Sequence, residues 1–168
     1  MSYFSNPEPT MTEESVNQII QLIQVGDALF SYEKMRLTNW LIKGDMDHAS
    51  IVSIYNNRLF VVEAIKPVVI KTPLVEWLYR KDHVAVGRLK GKNAEFREAC
   101  GAWALTQLGD KYDTMFRKFR RNSKSNKTYC SKLVANALRI FFTGELEPME
   151  LMENKKIQII YNTRVSKI

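Results

Sequence analysis

Apolar residues at Val16, Ile19, Ile20 and Ile23 recur at helical intervals. Thr10 and Glu13 ahead of them have capping-box spacing, so an amphipathic helix is predicted up to about Gln24. Gly26-Asp27 turns the chain into a short strand, Ala28 to Tyr32. Met35 to Lys43 reads as a short helix stopped by Gly44. Two β-rich segments follow, His48 to Tyr55 and Arg58 to Ile65, joined by Asn56-Asn57, a pair that suits the positive φ angles of a tight hairpin. Val68 to Lys71 extends the sheet, Pro73 opens a helix through Tyr79, and His83 to Leu89 is a further strand. Asn93 caps a longer helix whose shared face is Phe96, Cys100, Trp103 and Gln107, with Gly109 closing it. Leu133, Val134, Ala137, Leu138 and Phe141 fall at core spacing in a helix from Tyr129 to Phe142. A loop containing Pro148 leads to a last strand, Ile157 to Tyr161. Locally connected strands among helices predict an α+β domain with a mainly antiparallel sheet packed on helices.

Composition narrows the class. A chain of 168 residues, 45% hydrophobic, fits one domain with one core; the polar residues 1–10, with two prolines, read as a flexible N-terminus. No apolar run approaches the roughly 20 residues of a membrane span, and the N-terminus lacks the basic-then-apolar layout of a secretory signal. A soluble, cytoplasmic protein is expected. Two cysteines and two histidines are too few for a disulfide framework or a cysteine-only zinc site, so no metal centre is expected. Net charge is +7, and between Arg117 and Lys127 lie Arg117, Lys118, Arg120, Arg121, Lys124 and Lys127 with no acid among them. Such a run is ordinarily a solvated surface, although it can also attract phosphate- or carboxylate-rich partners. No nucleic-acid-binding module accompanies it.

The hairpin carries the most informative residues. A two-residue turn at Asn56-Asn57 pairs Tyr55 with Arg58 and sets the register. Counting back, Ser50 lies opposite Glu63, and His48 opposite Ile65. His48 and Glu63 therefore share a face on a diagonal that long side chains can bridge. Glu63 also interrupts the run Leu59-Phe60-Val61-Val62-Glu63-Ala64-Ile65, where a carboxylate needs a partner. His48 is the nearest by register. A carboxylate on one imidazole nitrogen fixes the tautomer and leaves the other nitrogen as a base. Such a pair can simply satisfy itself; it becomes catalytic when a nucleophile reaches the free nitrogen.

Cys130 stands in the first turn of the predicted helix from Tyr129. Unpaired backbone amides and the helix dipole there favour thiolate over thiol, an imidazolium nearby favours it further, and the Cys130 N–H can face an oxyanion. The alternative is an inert core cysteine. Cys100, mid-helix among Ala99, Gly101 and Ala102, fits that description. His83, in an alternating strand with no visible partner, reads as structural.

Gly26-Asp27-Ala28-Leu29-Phe30, His48 opening a strand, Val62-Glu63-Ala64, Gly109-x-x-Tyr112-Asp113 and Tyr129-Cys130-Ser131-Lys132-Leu133-Val134 together resemble the permuted papain-like amidases, the YiiX/YaeF-like group of the NlpC-type papain-like superfamily. The resemblance spans roughly residues 25 to 151, and Glu147-Pro148 suits it. It implies a circularly permuted papain-like (NlpC-like) fold, in which His48 and Glu63 precede Cys130, and it carries nucleophile, base and third polar residue onto Cys130, His48 and Glu63. It also places a tyrosine at Tyr112 and at Tyr129, where a phenol can bind substrate or simply pack. Asp113 reads instead as a cap for the segment after it. Lys132 departs from the family, whose bacterial members often carry an acid there, and so does Asp47 directly before His48.

The function implied is a thiol-dependent amide hydrolase, an amidase or peptidase working through a thioester, with a small peptide, amide or acyl-lipid substrate. The thioester route needs no organic cofactor. The same trio serves a lipid acyltransferase or thioesterase. A different class is a non-catalytic module holding nucleic acid or another polyanion on segment 117–127. Sequence is silent on oligomeric state.

Overall fold

The computed structural model describes residues 11–33, 46–113 and 128–164. Within them α1 (Glu13–Leu22), β1 (Ala28–Tyr32), β2 (His48–Tyr55), β3 (Arg58–Ala64), β4 (Val69–Pro73), α2 (Leu74–Tyr79), β5 (His83–Leu89), α3 (Ala94–Thr106), α4 (Cys130–Ala137), α5 (Pro148–Met152) and β6 (Ile157–Asn162) follow in order. The predicted helix at Met35–Lys43, the flexible N-terminus 1–10 and the basic segment 117–127 lie outside the described residues.

One antiparallel sheet, ordered β4-β3-β2-β1-β5-β6, organises the molecule. Asn56 and Asn57 adopt φ 48° and 58°, which gives the expected two-residue turn and pairs Tyr55 with Arg58 through to Ile51 with Val62. Strand alternation then splits the apolar residues between two cores. Ala28, Phe30, Ala49, Ile51 and Val62 pack with Ala104 of α3, Leu133 and Val134 of α4 and Leu151 of α5. Leu29, Val52, Val61, Val84 and Val86 pack with Val16 and Ile19 of α1 and with Leu74, Trp77 and Leu78 of α2.

Local expectations needed four corrections. The N-cap of α1 is Thr12, whose hydroxyl accepts the Ser15 N–H, rather than Thr10, which lies outside the described residues. The buried stripe of α3 is Cys100, Gly101 and Ala104, while Trp103 is exposed, because the helix presents its small residues to β2. The Ser53 hydroxyl donates to the Gly101 carbonyl at 2.9 Å across that contact. α4 stops at Ala137 rather than Phe142. Arg139 takes φ 54°, its N–H donates to Asn136, and the Ile140 N–H donates to Ala135, a Schellman termination made without glycine. Phe141 is consequently 85% exposed instead of in the core. The expected loop around Pro148 contains α5, whose start is tied by the Glu147 N–H donating to Glu150.

Gly26 connects α1 to the sheet. Its φ is +83°, its N–H donates to Val52, and a Cβ there would sit 2.2 Å from the Arg97 carbonyl oxygen of α3. Gly26→Ala thus adds a left-handed conformation to a backbone clash. It is expected to destabilise by about 2 kcal/mol or more, read as a lower urea midpoint at unchanged slope. Beside it Arg88 forks onto Asp27 at 2.8 and 2.7 Å, fixing β5 against the turn.

Candidate active site

Three elements converge at one end of the sheet. β2 opens at His48, preceded by the Asp47 N–H donating to Ser31 of β1 at 3.1 Å. β3 brings Glu63 near its end. α4 begins at Cys130, its N-cap Tyr129 still in extended conformation. His48, Glu63 and Cys130 are 3%, 4% and 6% exposed, so their charges interact with little screening by water.

His48 Nε2 meets Glu63 Oε2 at 2.6 Å. Burial works to raise the Glu63 pKa, but the hydrogen bond and charge of His48, with Lys81 and the Trp77 indole beyond, bring it down to about 2. With Nε2 so engaged, Nδ1 is left for the thiol. The Cys130 pKa is also lowered: burial opposes ionisation, and the hydrogen bond and charge of His48, the backbone of Ala49 and the Ser131 hydroxyl overcome it. Cys100 goes the other way, raised chiefly by burial. Of two buried free cysteines, one is held toward the thiolate and the other toward the thiol.

The start of α4 is anchored from the far side. Ser131 donates to the Leu146 carbonyl at 2.6 Å, and the Tyr129 phenol accepts the Leu146 N–H at 3.1 Å. Tyr129 thus clamps the loop before α5. Tyr112 bridges Thr128 in parallel, its N–H donates to Pro67, and its ring packs on the α3/α4 core. The Asp113 N–H donates to Thr128 at 2.7 Å; the segment it was expected to cap lies outside the described residues. His83 has partners after all: Nδ1 lies 3.4 Å from the Thr163 hydroxyl, and its ring lies against Tyr32.

Sequence reasoning missed Lys81, Trp77, Ser131 and the backbone of Ala49. Trp77 and Lys81 stand four apart, the one available hint that Lys81, just past the end of α2, comes back over the Trp77 ring. Ser131 follows the cysteine directly but gives no sign of its bond to Leu146.

Glu63→Gln keeps the shape and one acceptor but removes the negative charge facing His48 Nε2. Turnover of the site is expected to fall about 10²-fold. Stability should respond as well. A carboxyl with its folded pKa depressed to about 2 from 4.5 adds stability above pH 4.5 that disappears as pH falls toward 2. Urea midpoints measured at pH 6 and pH 3 should therefore drop less in Glu63→Gln than in wild type.

Among the described residues no group of three His, Cys, Asp or Glu is arranged to hold a metal ion, and no helix is long and apolar enough to cross a membrane. The family described as permuted papain-like amidase enzyme, YaeF/YiiX, C92 family, matches residues 22–159. Among solved structures, the chain is similar to one titled as the metalloprotein yiiX from Escherichia coli O157:H7. That match has a TM-score of 0.67 and 20% identity, and it covers 82% of this chain and 96% of that one. At that identity the likeness speaks for the fold. No curated protein matches.

Proposed function

Because the chain belongs to the permuted papain-like amidase family, we propose that it is a cysteine hydrolase of amides, with Cys130 as nucleophile, His48 as acid and base, and Glu63 orienting the imidazole. The observation that carries this reading is the pairing of His48 with Glu63 at 2.6 Å beside a cysteine whose pKa is lowered chiefly by that same histidine against the cost of burial.

The resting state is a Cys130 thiolate beside a His48 imidazolium. Sulfur attacks the amide carbonyl, and the oxyanion that forms is met by the Cys130 N–H at the start of α4. His48 passes its proton to the leaving amine, the C–N bond breaks, and a thioester remains. The neutral imidazole then takes a proton from water, whose oxygen attacks the thioester. Carboxylic acid leaves, and the thiolate–imidazolium pair returns. Glu63 stays ionised throughout and holds Nε2, so the proton moves only at Nδ1.

A panel of peptides, acylated lysines and lipid esters tests the reading. Acid-quenched reactions on a slow substrate should show the intact protein heavier by the acyl group, with the mass mapped to Cys130. Turnover with no acyl mass at any excess of substrate, or acyl mass on another residue, contradicts it. A lipid ester turned over in preference to every amide would assign the same trio to acyl transfer or thioester hydrolysis.

A further inference from the structure

The proposed triad leaves a buried cation without a role. Lys81, in the turn after α2, is 5% exposed, and lysine is almost never so buried without a paired charge. Its Nζ meets Glu33 Oε2 at 3.0 Å, and the Glu33 side chain is 34% exposed. The same nitrogen lies 4.8 Å from the centre of the Trp77 ring, a cation–π contact strengthened by the exclusion of water. Trp77 packs in the core of Val61 and Val52. Glu63, two positions on from Val61 in β3, lies on that same face. The Trp77 ring, with the Lys81 ammonium over it, therefore packs against the face of β3 that carries Glu63.

We infer that Lys81 is a positioning residue: it closes a chain of alternating charge, Glu33 to Lys81 to Glu63 to His48 to Cys130, that runs from the half-exposed rim to the sulfur. The inference rests on the proposed triad and extends it. Four of the five groups are buried, and with Lys81 present their charges in the thiolate–imidazolium state sum to zero. Without Lys81 that state holds a net negative charge away from water, which favours protonation of the sulfur or the carboxylate. The field of Lys81 acts on Glu63 alongside that of His48. β4 contributes the apolar Ile70 opposite Glu63, and α2 contributes Trp77. A further titratable neighbour among the described residues is Asp47, buried beside His48 in the chain and common to every variant below. Glu33, at the outer end, partly offsets Lys81.

The rate of Cys130 alkylation by iodoacetamide, followed against pH by peptide mapping with Cys100 as internal control, reads the thiolate without requiring a substrate. Removing a cation raises the proton affinity of each group it faces. Lys81→Met should therefore move the alkylation midpoint up by about one pH unit. Lys81→Arg keeps the charge and should hold the wild-type midpoint. Glu33→Gln removes an anion from the outer end and should move the midpoint down, by less, because that group is partly solvated. A wild-type midpoint in folded Lys81→Met, or equal shifts in Lys81→Met and Lys81→Arg, overturns the inference. If Lys81→Met does not fold, Glu33→Gln decides, and an unchanged or raised midpoint overturns it. Failure of the triad itself looks different: wild-type Cys130 then reacts no faster than Cys100 at any pH.

Discussion

Cys130→Ala is expected to abolish amide hydrolysis, with kcat/KM falling by about 10³-fold or more, while the protein stays folded. The two halves of that expectation have separate causes. In the proposed mechanism the sulfur alone forms a bond to the substrate, so no neighbour replaces it. Cys130 is buried, yet it sits at the first position of α4, where the change to alanine removes one atom and leaves the helix ending untouched. Its loss should cost about 1 kcal/mol of stability. Substrate should still bind, since the backbone around residue 130 is unchanged, so a Kd measured on the variant should stay near the wild-type value. Cys130→Ser is the sharper control. It keeps volume and hydrogen bonding, but a hydroxyl is not ionised by an imidazole as a thiol is, and activity should fall nearly as far. Cys100→Ala should leave kcat/KM at the wild-type level, because Cys100 is a core residue of α3 with its pKa raised by burial. Full activity in Cys130→Ala removes the proposed nucleophile.

How much of this could be read in the chain depends on how local each determinant is. Asn56-Asn57 encodes its own turn, and the turn encodes the register, so the meeting of Glu63 with His48 followed from counting. Cys130 at a helix start was legible for the same reason, since the first turn is defined by its own residues. The meeting of Cys130 with His48 was not. α4 packs on the face of Ala49 and Ile51, whereas Glu63 belongs to the opposite face with Val61. No periodicity indicates that an imidazole at the first position of β2, where the strand ends, reaches partners from both faces. The family resemblance supplied that link, not the spacing. Lys81 was hidden by distance, because its relation to Glu63 depends on α2 folding back across β3. The end of α4 was hidden by chemistry: Arg139 occupies a left-handed conformation that glycine usually signals, so the helical pattern ran on to Phe141. The same residue types elsewhere carry no such information, and Glu145, Glu147 and Glu150 are acids near the site that do not enter it.

His48→Ala is expected to reduce kcat/KM by about 10³- to 10⁴-fold and to change the protein in a way Cys130→Ala does not. Two buried groups lose their shared partner at once. Cys130, left with burial as its dominant influence, should rise toward the thiol, so the rapid alkylation expected of wild type near pH 6 should vanish and return only in alkaline solution. Glu63 should lose the hydrogen bond and the charge that hold it down, leaving a buried carboxylate with Lys81 and Trp77 alone, and stability at neutral pH should drop by about 3 kcal/mol. Both effects arise at the position the imidazole vacates, and that position is a cavity at the end of a strand rather than in the middle of the core. Added imidazole should therefore enter it and restore a fraction of both the alkylation rate near pH 6 and the turnover, whereas it should do nothing for Cys130→Ala. Rapid alkylation of Cys130 near pH 6 in His48→Ala would separate the thiolate from the histidine and remove the base from the proposed mechanism. The double variant His48→Ala/Glu63→Gln carries the complementary expectation. With the carboxylate neutralised, the stability lost in His48→Ala should largely return and the activity should not, because in the proposed mechanism the pair that costs the fold when broken is also the pair that holds the proton.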